Sequence, residues 1–142
     1  MNAHPELLRP VVALVVWTFV MFTWMYATRI PAIFAAKMPM DPNAPRGEQM
    51  ALLPPRVRWK ADNYNHLMEM PTLFYAIGVV LALVSTSPGV DGALAWAYVG
   101  LRVVHSLVQA TVNKIEVRFG LFVASSAVLA ALTLRAAVAV LG

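Results

Sequence analysis

The chain contains no cysteine, and only 13% of its 142 residues are charged. The first absence excludes a disulfide framework, a zinc–thiolate centre and a cysteine nucleophile. The second excludes an ordinary soluble surface, since soluble domains carry about 25% charged residues. Neither a G-x-S-x-G elbow nor a glycine-rich phosphate loop occurs, so nothing points to a serine hydrolase or a nucleotide-binding enzyme. Low-complexity tracts and solenoid-length repeats are missing as well.

What remains is apolar. Hydrophobic residues make up 60% of the chain, and the mean hydropathy is +0.67. A membrane-crossing helix needs about 20 mostly apolar residues. Four stretches qualify, at about 10–28, 65–86, 93–113 and 118–140. The first, "PVVALVVWTFVMFTWMYAT", has no charge inside it. A signal peptide is the rival reading there, but Glu6 precedes it, tryptophans stud it and no small-x-small cleavage site follows. The expected fold is therefore all-α: an integral membrane four-helix bundle forming a single domain over 1–142. Its one sizeable soluble element is a loop at about 29–62, where six prolines rule out a continuous helix.

Net charge is +4, and the positions of the cations matter more than their number. Arg29, Lys37, Arg46, Arg56, Arg58 and Lys60 crowd the first loop, while Lys114 and Arg118 flank the third. The second loop, "SPGVDG", has none, and the tails offer Arg9 and Arg135. This asymmetry predicts a cytoplasmic first and third loop, with both termini on the opposite side. It points to membrane topology and lipid contact, with nucleic acid as a partner not expected.

Several polar residues fall where lipid would not tolerate them alone. Arg102 lies near the middle of the third span, at a cost of about 2.5–3.5 kcal/mol on insertion scales. His105, Ser106 and Gln109 follow at helical spacing, so the four form one stripe that must face inward or toward a neighbouring subunit. The second span opens on Asp62, Asn65, His66 and Glu69, again at helical spacing. An Arg102–Glu69 pair is the economical way to hold both charges, either as a structural lock or as part of a ligand site. Pro71 frees the carbonyl of Leu67, which makes the entrance to this span a wet one. His66, Glu69 and His105 are too few for a di-iron bundle, which needs several carboxylates, so no metal site is expected; a proton relay is a further alternative. Arg29, Arg56, Arg58, Lys60, Asn63, Asn65, His66, Lys114 and Arg118 gather at the cytoplasmic edge. They suit either an anionic cosubstrate or lipid headgroups.

Two segments carry a wider likeness. "NYNHLMEMPTLFYA", opening span two, and "GLRVVHSLVQATVNKIEVRFGLF", joining spans three and four, resemble the MAPEG family, the membrane-associated proteins of eicosanoid and glutathione metabolism. The shared marks are Glu69 early in span two, Arg102 with His105 three residues on, and Arg118 sixteen after Arg102. The resemblance implies a homotrimer with glutathione bound between subunits near the cytoplasmic side. Arg118 would act as the catalytic residue by stabilising the thiolate. Arg102, Glu69, Asn65, His66, His105 and Arg29 would bind the cosubstrate, and a lipophilic substrate would arrive through the bilayer. The activity implied is a glutathione- or other thiol-dependent transferase or peroxidase. The alternative is a non-catalytic scaffold on the same fold, binding lipid or serving as an accessory subunit. His66 and Gln109 stand where other members have asparagine and tyrosine, and Trp59 and Asp62 where eicosanoid-type members have arginines. The spelling is closer to bacterial members, which implies the inner (cytoplasmic) membrane.

Overall fold

A computed structural model describes residues 3–142. Five α-helices form four rods. α1 spans Leu8–Ala35, α2 Pro55–Leu67, α3 Pro71–Val84, α4 Pro88–Thr111 and α5 Ile115–Leu141, and no strand occurs among the described residues. α2 and α3 continue one another as the second rod. Single 3₁₀ turns at Pro5–Leu7 and Met50–Leu52 complete the regular structure.

Three stretches, Pro5–Ala35, Pro55–Val84 and Ile115–Leu141, are long and apolar enough to cross a membrane. α4 falls outside that group because its polar stripe lowers its hydropathy. Its 24 residues nonetheless rise about 36 Å, against a hydrocarbon thickness of about 30 Å. With Arg102, His105, Ser106 and Gln109 all buried, the outward face of α4 is apolar. The protein is thus an all-α integral membrane bundle.

The helix limits depart from the sequence expectation where a proline lies within a helix or opens one. α1 runs through Pro31 to Ala35, seven residues past the expected end at 28. Pro31 lies in the last turns and is exposed, so the single amide bond it forfeits is lost at a helix end. Lys37, at φ 48°, then takes the left-handed conformation that stops the helix. Pro55 and Pro88 are first residues of α2 and α4, where a missing N–H costs nothing and φ is preset. The Pro-rich loop is accordingly 36–54, shorter than the expected 29–62. α4 ends at Thr111 and Asn113 turns at φ 54°, so that α5 begins at Ile115.

The interior is assembled from Leu14 and Met21 of α1, Phe74 and Leu81 of α3, Tyr98 of α4, and Leu129 and Leu132 of α5, each at most 3% exposed. Phe74 stacks on Tyr98 at 4.5 Å between centroids. α1 and α4 run in the same direction, and two contacts fix their register. A Cβ on Gly92 would meet Leu7 at 3.5 Å. At the other end Lys60 lies 5.0 Å from the Trp24 ring centroid and donates to the Ala110 carbonyl at 3.4 Å. Trp17 is therefore level with Arg102.

Candidate functional site

The second rod is broken where the candidate site begins. Pro71 has no N–H to give Leu67, and the chain passes through tight turns instead: Met68 N–H donates to the Asn65 carbonyl at 3.0 Å and Glu69 N–H to His66 at 3.2 Å. α3 then restarts with Pro71 as its first residue. The break swings Glu69 outward. Its side chain is 66% exposed and meets His66 Nδ1 at 3.2 Å. The expected Arg102–Glu69 pair does not form. Arg102 is 1% exposed, and neither Nε, Nη1 nor Nη2 has a hydrogen-bond partner among the described residues.

The inward stripe of α4 is as expected from its spacing. His105 is 2% exposed, Ser106 0% and Gln109 3%. Ser106 Oγ donates to Asn63 Oδ1 at 3.0 Å, both groups fully buried. The sequence groups Asn63 with the membrane-edge amides, whereas the structure buries it, one residue off the face of Asp62, Asn65 and His66. The hydrophilic neighbours on both sides hid it, and only the fit to Ser106 reveals it.

The expected polar face of α2 divides into two. Arg29, Arg58, Asp62 and Asn65 line a cavity of about 230 Å³ between α1, the loop and α2. His66, His105, Arg118, Ile115, Phe119 and Phe122 line another, of about 340 Å³, on the α4–α5 side. His66 and His105 stack there with centroids 4.8 Å apart, and Phe122 lies 5.7 Å from His66. Arg118 is half-buried at the start of α5, held by a hydrogen bond from Nη1 to Asn113 Oδ1 at 2.5 Å. The left-handed turn at Asn113 positions this acceptor, which sequence spacing alone does not show. Three atoms on the cavity residues have no partner among the described residues: His66 Nε2, His105 Nδ1 and Arg118 Nε. Within the chain, then, His66, His105 and Arg118 come together, while Arg29 and Asn65 lie on the other side of α2. Arg102 lies one turn deeper than His105. Its layer includes Trp17 Nε1 and Tyr98 OH, both unpartnered, and Tyr75 OH, which lies 3.5 Å from Thr18 Oγ1.

Charge in this region is unbalanced. Arg102 and Arg118 contribute two cations, and neither forms an ion pair with a carboxylate among the described residues. The buried carboxylate of Asp91 is committed elsewhere, to Ser85 and Arg135. No cluster of three metal-ligating side chains exists among the described residues. The arrangement can hold an anion, or an electron-rich atom that becomes one.

Fold and site together define a helical membrane protein with a cationic, histidine-bearing cavity toward one end of the bundle. The chain matches the MAPEG family profile over residues 7–138 and belongs to that family. No curated protein and no solved structure matches it. At family level, membership means a membrane protein of glutathione-related transferase, peroxidase or allied roles, in a family that generally uses glutathione.

Proposed function

We propose that the protein is a membrane-embedded thiol transferase or peroxidase that takes glutathione as cosubstrate and a lipophilic electrophile from the bilayer. The observation that carries this reading is the Arg118 cavity. Arg118, His66 and His105 line a space whose remaining walls are Ile115, Phe119 and Phe122, and each carries a buried nitrogen without a partner among the described residues. Cationic donors beside apolar walls fit an anionic peptide thiol meeting a lipophilic partner. A thiol beside a guanidinium ionises more readily, and the thiolate is the nucleophile. Arg118 supplies that charge, and Asn113 holds the guanidinium in place. The protein needs no cysteine because the reacting sulfur belongs to the cosubstrate. A purely structural Arg102–Glu69 lock is not formed, because Glu69 meets His66 and the Arg102 nitrogens have no partner among the described residues, which supports a ligand-binding role over a scaffold.

The functional unit in this proposal is a homotrimer. Charged side chains in membrane segments nearly always face a bundle interior or a partner. Glu69 has only His66 as its partner and stays 66% exposed in one subunit, and Thr72, Ala76 and Val79 continue its exposed stripe along α3. A ring brings unlike faces of neighbouring copies together. Arg29 and Asn65 of one copy would then complete the cavity that holds His66, His105 and Arg118 of the next, with Glu69 and Arg102 at its inner side. The charge asymmetry of the loops supports a cytoplasmic-side cavity, and the resemblance to bacterial members supports an inner membrane.

Calorimetric titration of glutathione into the purified oligomer tests the proposal. One saturable site per subunit is expected, lost in Arg118→Leu with oligomeric state unchanged. A protein that assembles normally yet binds no glutathione or related thiol refutes it.

A further inference from the structure

The end of the bundle carrying the two termini has a polar site of its own. Asp91, in the first turn of α4, is 1% exposed. It accepts a hydrogen bond from Ser85 Oγ at 2.6 Å and another from Arg135 Nε. The Arg135 side chain is 34% exposed, and its Nη1 and Nη2 make no hydrogen bond to the described residues. Next to it lies a cavity of about 220 Å³ lined by Thr86, Asp91, Leu134, Arg135, Val138 and Ala139.

We propose that this cavity binds the phosphodiester group of a membrane phospholipid. Asp91 pins Arg135 by Nε, leaving the two Nη donors as a fixed fork of the kind that matches phosphate oxygens. Depth agrees. Arg135 lies six residues before Leu141, the last residue of α5, which is about 9 Å along the axis. That places the guanidinium near the boundary between hydrocarbon and headgroups. The walls specify the rest of the ligand. Leu134 and Val138 are 66% and 64% exposed, and their face of α5 continues through Ala130, Ala127 and Val123 toward the membrane centre. An acyl chain covers that track, whereas a free phosphate leaves it bare. The site is independent of the Arg118 cavity, which occupies the opposite end of the bundle.

The test uses purified full-length protein in dodecyl maltoside micelles, with phosphatidylglycerol added in steps and bound lipid counted by native mass spectrometry. Diacylglycerol carries the apolar chemistry alone; sn-glycerol 3-phosphate carries the phosphate alone. Phosphatidylglycerol is expected to bind saturably at one lipid per subunit, with neither control competing at equal concentration. Arg135→Lys keeps the charge but loses the fork, and should bind about tenfold more weakly, the size of one charge-assisted hydrogen bond. Val138→Phe fills the cavity without touching the ion pair; it should abolish the bound lipid while leaving the lipid-free unfolding temperature unchanged. Equal binding of diacylglycerol would reduce the site to a greasy groove, and equal binding of glycerol 3-phosphate would make the ligand a soluble one. Full lipid binding by Val138→Phe would place the lipid elsewhere. Any of these three results overturns the proposal.

Discussion

Replacing Arg102 with methionine should stabilise the ligand-free protein and at the same time weaken ligand binding. The spacing of Arg102 and Glu69 suggests the opposite, because removing one partner of a buried pair strands the other. The structure changes the sign. Glu69 is 66% exposed and bonded to His66, so it loses no partner when Arg102 is removed. Arg102 is 1% exposed with three donor nitrogens unpartnered. An unsatisfied buried donor costs about 1–3 kcal/mol, and exchanging buried charges for apolar groups of similar volume is often neutral or stabilising by about 1–4 kcal/mol. Methionine fills irregular space without demanding a partner. Taking the lower half of that range, about 1–2 kcal/mol, the apparent unfolding temperature of the solubilised protein should rise by several degrees. Glutathione should raise it further in the native protein and by much less in the variant, if the Arg102 charge helps hold the ligand. The assay is thermal unfolding of both proteins in one detergent, with and without glutathione. A ligand-free variant that melts lower than the native protein would refute the reasoning, for it would mean that the guanidinium has a partner in the assembled protein.

Other positions give independent checks. Arg118→Leu should leave the unfolding temperature within about a degree of the native value, since the side chain is half-exposed at a helix start, while thiol-dependent turnover falls by about a hundredfold or more, as for loss of a transition-state donor. Asn63→Ala leaves the Ser106 hydroxyl without its buried acceptor and should cost about 1–3 kcal/mol; the same measurement on Asn63→Ala/Ser106→Ala should show less than the sum of the single losses. A Cβ at Gly78 would lie 2.5 Å from Val11 Cγ2, so Gly78→Leu should destabilise by about 1–3 kcal/mol, with Val11→Ala restoring part of the loss. Asp91→Asn keeps an acceptor for Ser85 but removes the charge facing Arg135. A loss of about 2 kcal/mol is expected, below the value for a fully buried pair because Arg135 is partly exposed.

Different parts of the molecule were legible to different degrees. The four rods follow from run length and the scarcity of charge, and the inward stripe on α4 follows from the spacing of Arg102, His105, Ser106 and Gln109. Those features depend on periodicity, which a single sequence carries in full. The boundaries were harder because proline has two opposite meanings. Pro31 sits inside a helix, Pro55 and Pro88 begin one, and Pro71 interrupts a rod; only the surrounding backbone distinguishes them. Pairings of charged groups were the least legible. Asp91 finds Arg135 across 44 residues, and nothing in the local pattern around either residue announces it. Arg102 and Glu69 suited one another in spacing and sign, yet a change of backbone direction at one proline was enough to part them.

That parting bears on why a site of this kind lies at a helix break. Had α2 continued unbroken into α3, Glu69 would stay on the face of His66 and point toward α4, where neutralising Arg102 would remove the cationic character of the bundle. The turns at Met68–Met70 instead present the carboxylate outward, and leave the guanidinium charge available to the interior. In the proposed trimer, the apolar lipid around α3 would penalise an isolated subunit through Glu69, and an assembly that covers Glu69 would remove the penalty. On that proposal, one proline would couple two properties otherwise set separately: the sign of the site and the drive to assemble. Restoring helical continuity with Pro71→Ala should weaken both, lowering the oligomer fraction in cross-linking and glutathione affinity together. If affinity falls while assembly is unchanged, the coupling through Glu69 is wrong.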